Sequence, residues 1–227
     1  DEVQKILVNE GDLEARDKAE PGDYLTGHGI MKGADGTEFY NIKGGFLLPK
    51  PVQQPYPTLI NAGSSEAGRE FSARHVDYNF ITITTEEEAA FLIKDVKARA
   101  AAHRRECGVM TYGLVCCRDT EAEAREVYDS IVRHGDWTAT ENIMKMLGIE
   151  SSSFGNKDTV RNLGERFIAG WGGYPLVGTP EQVVEKMQHI HAMGIDGFIL
   201  SWLDYAQELE YFGERVMPLL RQAGLRV

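Results

Sequence analysis

From residue 58 onward, short apolar segments alternate with amphipathic helical segments, and this alternation constrains the fold more than any other feature. Four segments rich in β-branched and aromatic residues predict buried strands, at residues 58–62, 78–83, 109–117 and 197–202. Short strands separated by helices are typical of a parallel sheet with right-handed crossovers. The sequence therefore predicts an α/β fold, and four such units fit either an open sheet or part of a (β/α)₈ barrel.

Three of the predicted helices begin with a T-x-x-[EQ] capping box, in which a threonine hydroxyl and the side chain three residues later satisfy backbone N–H groups. The three pairs are Thr85 with Glu88, Thr120 with Glu123, and Thr179 with Gln182. Gly194 and Gly224 follow predicted helices, where a C-terminal cap uses left-handed backbone. These signals mark the helix ends and so the order of the βα units.

Composition excludes several classes of protein. The net charge of −11 over 227 residues disfavours nucleic acid as a partner. No run approaches about 18 apolar residues, and the first residues lack the pattern of a secretory signal, so we expect a cytoplasmic protein that does not enter a membrane. The three cysteines, two of them adjacent, suit neither a disulfide framework nor a zinc site, and the six histidines form no metal-ligand cluster.

The chain is expected to form a single domain over residues 1–227. Residues 1–56 are predicted to be a loop and a proline-rich connector, apart from a helix over the first ten residues and a short strand at 38–42. Residues 57–133 hold βα units, and residues 134–178 form an insert with helices at 140–147 and 158–167. Residues 179–227 complete the chain as a helix, a strand and a helix, which places the insert over the mouth of a barrel.

Gly63, Ser64 and Ser65 join the first predicted strand to the helical segment that follows. At such a junction the unpaired N–H groups of a helix, the positive end of its dipole and two hydroxyls converge. This arrangement favours an anion, and phosphate is the usual one. The alternative is that one serine merely caps the helix.

The chain resembles the bacterial luciferase-like superfamily of flavin-dependent monooxygenases along residues 38–225. Three segments carry the resemblance: AGSSEAGREFSARHVDYNF at 62–80, GWGGYPLVGTPEQV at 170–183, and GIDGFILSWLDYAQELEYFGERVMPLLRQAGLR at 194–226. Within the superfamily the sequence is most similar to the branch that holds pyrimidine oxygenase and dimethyl-sulfone monooxygenase.

The resemblance implies a TIM-type (β/α)₈ barrel, of which this chain holds the C-terminal four βα units and a helical insert before the last one. It also implies reduced FMN (FMNH₂) as cofactor, a separate flavin reductase, O₂, and a small substrate, either a sulfone-type organosulfur compound or a pyrimidine-like ring. Because relatives are longer, we expect a C-terminal part of a longer chain; the alternative is a truncated member that covers its strand edges by association. Relatives suggest a homo-oligomer.

The resemblance assigns Ser64 and Ser65, with Gly63, to the FMN phosphate, in agreement with the anion site inferred from the turn. Asn61, at the end of the preceding strand, is a further cofactor-binding candidate. The alternative for Asn61 is an internal hydrogen bond to backbone. Two other functions remain open: a deazaflavin (F420)-dependent reductase and a non-catalytic flavin-binding protein.

The resemblance identifies no catalytic residue in this half of the barrel, and it leaves three candidates. Arg166 and Trp171 lie at the exit of the insert, where relatives carry a mobile loop over flavin and substrate, and Trp202 follows the last strand toward the mouth. The alternatives are a solvated charge for Arg166 and ordinary packing for Trp171. Ala169 and Leu203 stand where alkanesulfonate monooxygenase carries an arginine and a tyrosine, which disfavours a sulfonate substrate.

Overall fold

The computed structural model describes residues 52–54, 56–148 and 157–226, together with the backbone of three strands within residues 5–45. The chain divides into two compact units, Asp1–Leu59 and Ile60–Val227. The boundary falls close to the predicted end of the connector. The single domain predicted over residues 1–227 stays a prediction.

The first unit contains a three-stranded antiparallel sheet, with strands β1 (Lys5–Val8), β2 (Gly27–Lys32) and β3 (Glu38–Gly45) in that order. The predicted strand at 38–42 is confirmed and is longer than expected. The predictions of an irregular loop and of a helix over the first ten residues are wrong. Gly27 and Gly29 interrupt the periodicity of the sequence, but they lie within β2 at a shift in the pairing register, a position where strands accept glycine.

The second unit is organised on a parallel sheet, as predicted. Its described strands are β4 (Ile60–Asn61), β5 (Tyr78–Phe80), β6 (Gly108–Cys117), β7 (Tyr174–Gly178) and β8 (Gly197–Ser201).

The longest of these strands, β6, lies at the centre of the sheet. Met110 pairs with both β5 and β8, and Gly113 pairs with both β7 and β8. Because a strand has two edges, β5 and β7 must share one edge of β6, and β8 occupies the other.

The strand β7 was missed at the sequence level, where its residues were assigned to a glycine-rich exit from the insert. Pro175 lies inside it and pairs with Leu114 of β6. A proline argues against a central strand, because it cannot donate to the ladder, but β7 pairs with β6 alone among the described strands. Leu176 and Val177 are buried, so the segment belongs to the core.

The described residues form eight helices. They are α1 (Glu66–His75), α2 (Glu86–Ala102), α3 (Glu121–Arg133), α4 (Trp137–Met146), α5 (Lys157–Gly170), α6 (Pro180–Ala192), α7 (Tyr205–Arg215) and α8 (Met217–Gln222). Within this part of the chain no helix combines the length and apolarity needed to cross a bilayer.

The predicted helix caps are confirmed. Thr85, Thr120 and Thr179 each accept a hydrogen bond from the backbone N–H three residues later, and only the Thr179 cap is a full reciprocal box. Gly194 and Gly224 follow α6 and α8 with φ angles of +106° and +71°, the left-handed backbone of a C-terminal cap. A helix cap depends on a few consecutive residues, so it can be predicted from the sequence alone.

The two faces of the parallel sheet differ in how far their side chains are exposed to solvent. Registered residues on parallel neighbours point to the same face, so Asn79 shares a face with Val109, and Tyr112 shares the opposite face with Ile199. Asn79 and Val109 are 0% exposed, whereas Ile199 is 46% exposed and Ile60 is 47% exposed. One face is therefore covered by helices, and the other, which would line the interior of a closed barrel, is open.

Strand β6 carries core residues on both faces of its C-terminal half. Val115 and Cys117 pack in one cluster with residues of α6, α7 and α8. Leu114 and Cys116 pack in another cluster with residues of α3. Helix α3 therefore covers the end of the strand on the side opposite to α6.

Candidate functional site

The turn between β4 and α1 holds the predicted anion site. Ser65 is the N-cap of α1, and its Oγ accepts a hydrogen bond from the backbone N–H of Gly68 at 3.1 Å. Ser64 and Ser65 are both exposed. A hydroxyl that accepts one hydrogen bond keeps its proton to donate, so the capping role of Ser65 leaves it able to bind an anion.

Two glycines bring this turn onto the first turn of α1. A Cβ added to Gly63 would lie 2.8 Å from the Cα of Gly68, and a Cβ added to Gly68 would lie 2.7 Å from the Cα of Gly63. Both distances are too short for any side chain. Sequence reasoning selected Gly63 but missed Gly68, because only the folded chain brings the two residues together.

A buried amide network supports the turn from the helix-covered face. The Nδ2 of Asn79 lies 3.1 Å from the carbonyl oxygens of Asn61 and Gly63, and 2.8 Å from Ser72 Oγ. The Nδ2 of Asn61 donates to the same Ser72 hydroxyl at 2.8 Å. Internal hydrogen bonding, the alternative weighed for Asn61, is thus what the structure shows, and direct cofactor binding by Asn61 stays a prediction.

Arg69 holds the turn from the other side. Its guanidinium donates to the carbonyl oxygen of Ser64 and, at 2.6 Å, to Asp95 Oδ2 on α2. Hydrogen bonds from Arg99 and Arg69 lower the pKa of Asp95, so the carboxylate stays ionised beside them. Since Asp95 balances its charge, Arg69 mainly orients the turn. Sequence reasoning did not select Arg69.

Arg166 is partly buried in the last turns of α5. Its Nε donates to the carbonyl of Gly173 at 3.1 Å, and its Nη2 donates to the carbonyls of Ile83 and Gly172 at 2.6 and 2.8 Å. Its guanidinium carbon lies 5.9 Å from the centre of the Tyr174 ring. Burial lowers the pKa of Arg166. The alternative of a solvated surface charge is therefore wrong, and the side chain joins the turn before β7 to the segment after β5.

Trp171 is displayed on that same turn. Its φ angle is +55°, in the left-handed region that a bulky residue rarely adopts, and its side chain is largely solvent-accessible, with the residue 64% exposed. Its ring meets Phe167 edge-on, with the centroids 5.9 Å apart. The alternative of an ordinary packing aromatic is wrong, because most of the ring has no protein cover.

Tyr112 connects the turn to the open face of the sheet. Its ring stacks on Phe80 with centroids 5.5 Å apart, and a Cβ added to Gly173 would lie 3.0 Å from the Tyr112 ring. Burial raises the pKa of Tyr112 to about 12, so the phenol is neutral near pH 7. Sequence reasoning did not select Tyr112, although its place in a β-branched and aromatic run was a usable signal.

Both turns lie beside the carboxyl ends of β4 and β5, and the Trp171 turn also leads into β7. The Ser64 turn follows β4, and Ile83, which Arg166 contacts, follows β5, the parallel neighbour of β4. In parallel α/β folds, ligands bind outside the carboxyl ends of the strands. The candidate site is therefore the region at the carboxyl ends of β4 and β5, bordered by the anion-binding turn and the Trp171 turn.

Trp202 directly follows β8, at the carboxyl end of that strand. Its ring packs between Tyr205 and Phe212 of α7, with centroids 5.5 Å from each, and its Nε1 is buried without a hydrogen-bond partner among the described residues. The predicted orientation of Trp202 toward the mouth stays a prediction. Asp204, two residues later, is the N-cap of α7 and accepts from the N–H of Ala206 at 3.0 Å. The described residues also contain no group of three or more metal-ligating side chains.

Comparison with known proteins identifies the family. The family model for the luciferase-like monooxygenases matches residues 32–197. The FMNH(2)-dependent dimethylsulfone monooxygenase of Pseudomonas putida is 32% identical over 190 residues, which cover 82% of this chain and 52% of that protein. The chain thus spans about half the length of this relative.

Solved structures show the same relationship. DmoA from Hyphomicrobium sulfonivorans has a TM-score of 0.67 at 22% identity, covering 83% of this chain and 46% of its own. A long-chain alkane monooxygenase (LadA) has a TM-score of 0.64 at 26% identity, covering 87% and 48%. These similarities confirm the predicted fold class, an α/β barrel about half of which corresponds to this chain. With the family match and the parallel sheet in agreement, this chain belongs to the luciferase-like monooxygenase family.

Proposed function

We propose that the protein is an FMNH₂- and O₂-dependent monooxygenase of a small organic substrate, with reduced flavin supplied by a separate flavin reductase. Family membership and the similarity to an FMNH(2)-dependent dimethylsulfone monooxygenase support the reaction class. The observation that carries the proposal is the turn at Gly63, Ser64 and Ser65. This turn follows β4, exposes both serines and leads into the N-terminus of α1.

The residues present fit the terminal phosphate of FMN. Because Gly63 and Gly68 have no side chains, nothing blocks the turn between β4 and α1, and an anion can approach its backbone N–H groups closely. The hydroxyls of Ser64 and Ser65 would donate to phosphate oxygens, and Arg69 would keep the carbonyl of Ser64 turned away from them. When bound, reduced FMN supplies the electrons for O₂ activation.

We propose a substrate without net charge, either a sulfone-type organosulfur compound or a pyrimidine-like ring. The guanidinium of Arg166, at the exit of the insert, is already engaged by three carbonyl groups and so is not offered to a substrate anion. Exposed Trp171 and the stacked Tyr112 and Phe80 provide apolar, aromatic surface instead. We also propose that the protein is cytoplasmic and that it forms a homo-oligomer.

Cofactor binding is tested by fluorescence titration with FMN. Replacing both serines, Ser64→Ala with Ser65→Ala, should weaken FMN binding by about 1–3 kcal/mol, because two hydrogen bonds to a charged group are lost. Replacement of an exposed residue away from the site, Glu126→Gln on α3, should leave the affinity unchanged. Equal affinity in the double-serine variant and the wild type would reduce these serines to helix caps.

Activity is tested with FMN, NADH, O₂ and a flavin reductase, using dimethyl sulfone and uracil as probes and mass spectrometry to detect an oxygenated product. The proposal predicts a product that depends on all components. Tight FMN binding with no oxygenated product would instead favour a flavin-binding protein without catalysis. Binding of a deazaflavin in place of FMN would favour the F420-dependent alternative.

A further inference from the structure

The backbone at Trp171 is strained. Among the described residues only Arg104 and Trp171 combine a side chain with a positive φ angle, and Trp171 is followed by Gly172 at +82°. Left-handed backbone is unfavourable for a residue with a Cβ, and glycine is the usual residue at such a helix end. Strain of this kind persists where the surrounding structure fixes it, and it is often found at functional sites.

Hydrogen bonds from Arg166 hold the strained turn in place. It contacts the carbonyls of Gly172 and Gly173, directly after Trp171, and the carbonyl of Ile83 across the sheet edge. No carboxylate hydrogen-bonds to this guanidinium among the described residues. A partly buried cation bound only by carbonyls holds backbone in place without neutralising a charge, so its geometric role is to anchor the turn.

The anchored turn leaves the indole of Trp171 largely uncovered. The glycines that follow it pack against Tyr112, which stacks on Phe80 at the open face of the sheet. The turn therefore lies where the open face meets the carboxyl end of β5. An exposed aromatic ring in this place offers a flat apolar surface to a small planar or weakly polar molecule.

We propose that Trp171 contacts the substrate directly, and that Arg166 is the positioning residue that holds the Trp171 turn in its strained form. This inference rests on the proposed monooxygenase function and names a substrate contact within it. The substrate class follows from the chemistry: an uncharged compound with an aromatic or methyl surface, which stacks on the indole.

The strain is tested by comparing Trp171→Gly with Trp171→Ala in thermal unfolding of the full protein. Both variants lack the ring, so the difference between them isolates the backbone. Trp171→Gly should unfold at the higher temperature, because glycine accepts the positive φ angle. Equal unfolding temperatures, or a more stable alanine variant, would overturn the strained turn. This comparison needs neither flavin nor substrate.

The substrate contact is tested by KM with dimethyl sulfone and uracil in the reductase-coupled assay. Both Trp171 variants should raise KM by about three- to tenfold, while Trp171→Phe keeps most of the contact and the FMN affinity stays unchanged. Arg166→Lys should raise KM similarly, since an ammonium cannot bridge the three carbonyls in this planar geometry. If Arg166 acts through Trp171, Arg166→Lys combined with Trp171→Gly should show no greater KM than Trp171→Gly alone.

The outcomes separate this inference from the proposed function. Normal turnover with an unchanged KM in the Trp171 variants, or additive effects in the double variant, would refute the inference alone. If the wild-type protein does not bind FMN, the proposed function is refuted, but the comparison of Trp171→Gly with Trp171→Ala in thermal unfolding remains valid. FMN binding without turnover of either probe would refute both the proposed substrate class and the contact assigned to Trp171.

Discussion

Gly63 and Gly68 are in backbone contact across the start of α1, so close that a Cβ on Gly68 would lie 2.7 Å from the Cα of Gly63. The atoms in the way are backbone atoms of the turn, which cannot rotate aside as the end of a flexible side chain can. The path of the anion-binding turn therefore depends on the absence of two side chains.

Gly68→Ala should destabilise the protein by about 1–3 kcal/mol and weaken FMN binding, because the added methyl group pushes the turn away from α1. Gly213→Ala is the matched control. Gly213 also lies inside a helix, but nothing lies within 4 Å of an added Cβ there, so this variant should gain roughly 0.5–1 kcal/mol from helix propensity. Thermal unfolding and FMN titration check both variants. A Gly68→Ala protein as stable as the Gly213→Ala protein would contradict the steric explanation.

Asn79→Leu should be destabilising and should also reduce FMN affinity. The amide of Asn79 holds the carbonyls of Asn61 and Gly63 and the hydroxyl of Ser72, and each hydrogen bond contributes about 0.5–1.5 kcal/mol. Loss of these bonds frees the turn, so the effect reaches a ligand that Asn79 does not touch. Urea unfolding and FMN titration measure the two effects.

Thr111→Val serves as the control for Asn79. Thr111 is equally buried, but its Oγ1 has no hydrogen-bond partner among the described residues, so replacing the hydroxyl by a methyl group should be neutral or stabilising. FMN affinity should not change, because Thr111 supports no part of the turn. Equal destabilisation by the two substitutions would indicate that burial alone, rather than the amide network, explains the result at Asn79.

The helices were easier to predict than the site. The caps at Thr85, Thr120 and Thr179 use signals within four residues, and the structure confirms them. Gly63, Ser64 and Ser65 were recognised as an anion-binding turn for the same reason. The family resemblance likewise rested on motifs of consecutive residues.

What the sequence did not predict are the contacts that residues make with distant parts of the chain. Asn79 reaches back eighteen residues to Asn61, and Arg166 spans 83 residues to Ile83. Strand β7 contains a proline that argues against a strand until its position on one edge of β6 is known. The contact between the rings of Trp202 and Phe212, ten residues apart, was not predicted either.

The ion pairs between α1 and α2 predict a dependence of stability on acid pH. Hydrogen bonds from His103, Arg99 and Arg74 lower the pKa of Glu70 from 4.5 to about 2. A carboxylate with a lowered pKa in the folded state contributes stability above its unfolded pKa, and this contribution is lost as the pH falls through the folded pKa. The contribution of Glu70 should therefore decline between about pH 4.5 and about pH 2.

Glu70→Gln tests this contribution. The variant should be less stable than the wild type at pH 7, and the difference should shrink toward pH 2, because the wild-type carboxylate becomes protonated there. The Glu126→Gln variant is the control, since Glu126 forms a single ion pair with Arg133 on the exposed surface of α3, and such pairs contribute little. Urea unfolding at several pH values measures the difference. A gap between wild type and Glu70→Gln that stays constant with pH would contradict the assignment.

The cysteines should be unreactive in the folded protein. Cys107, Cys116 and Cys117 are free and buried, and burial raises the pKa of Cys116 to about 11 and that of Cys117 to about 12. Burial also raises the pKa of Cys107. Since the thiolate is the reactive form, a thiol reagent at pH 8 should label none of the three in the native protein and all three in 6 M guanidinium chloride. Cys116→Ser is the control, which should lower the count under denaturing conditions from three to two. Rapid labelling of Cys116 in the native protein would show that the end of β6 opens to solvent, and the core around Leu114 would then be less tightly packed than its burial indicates.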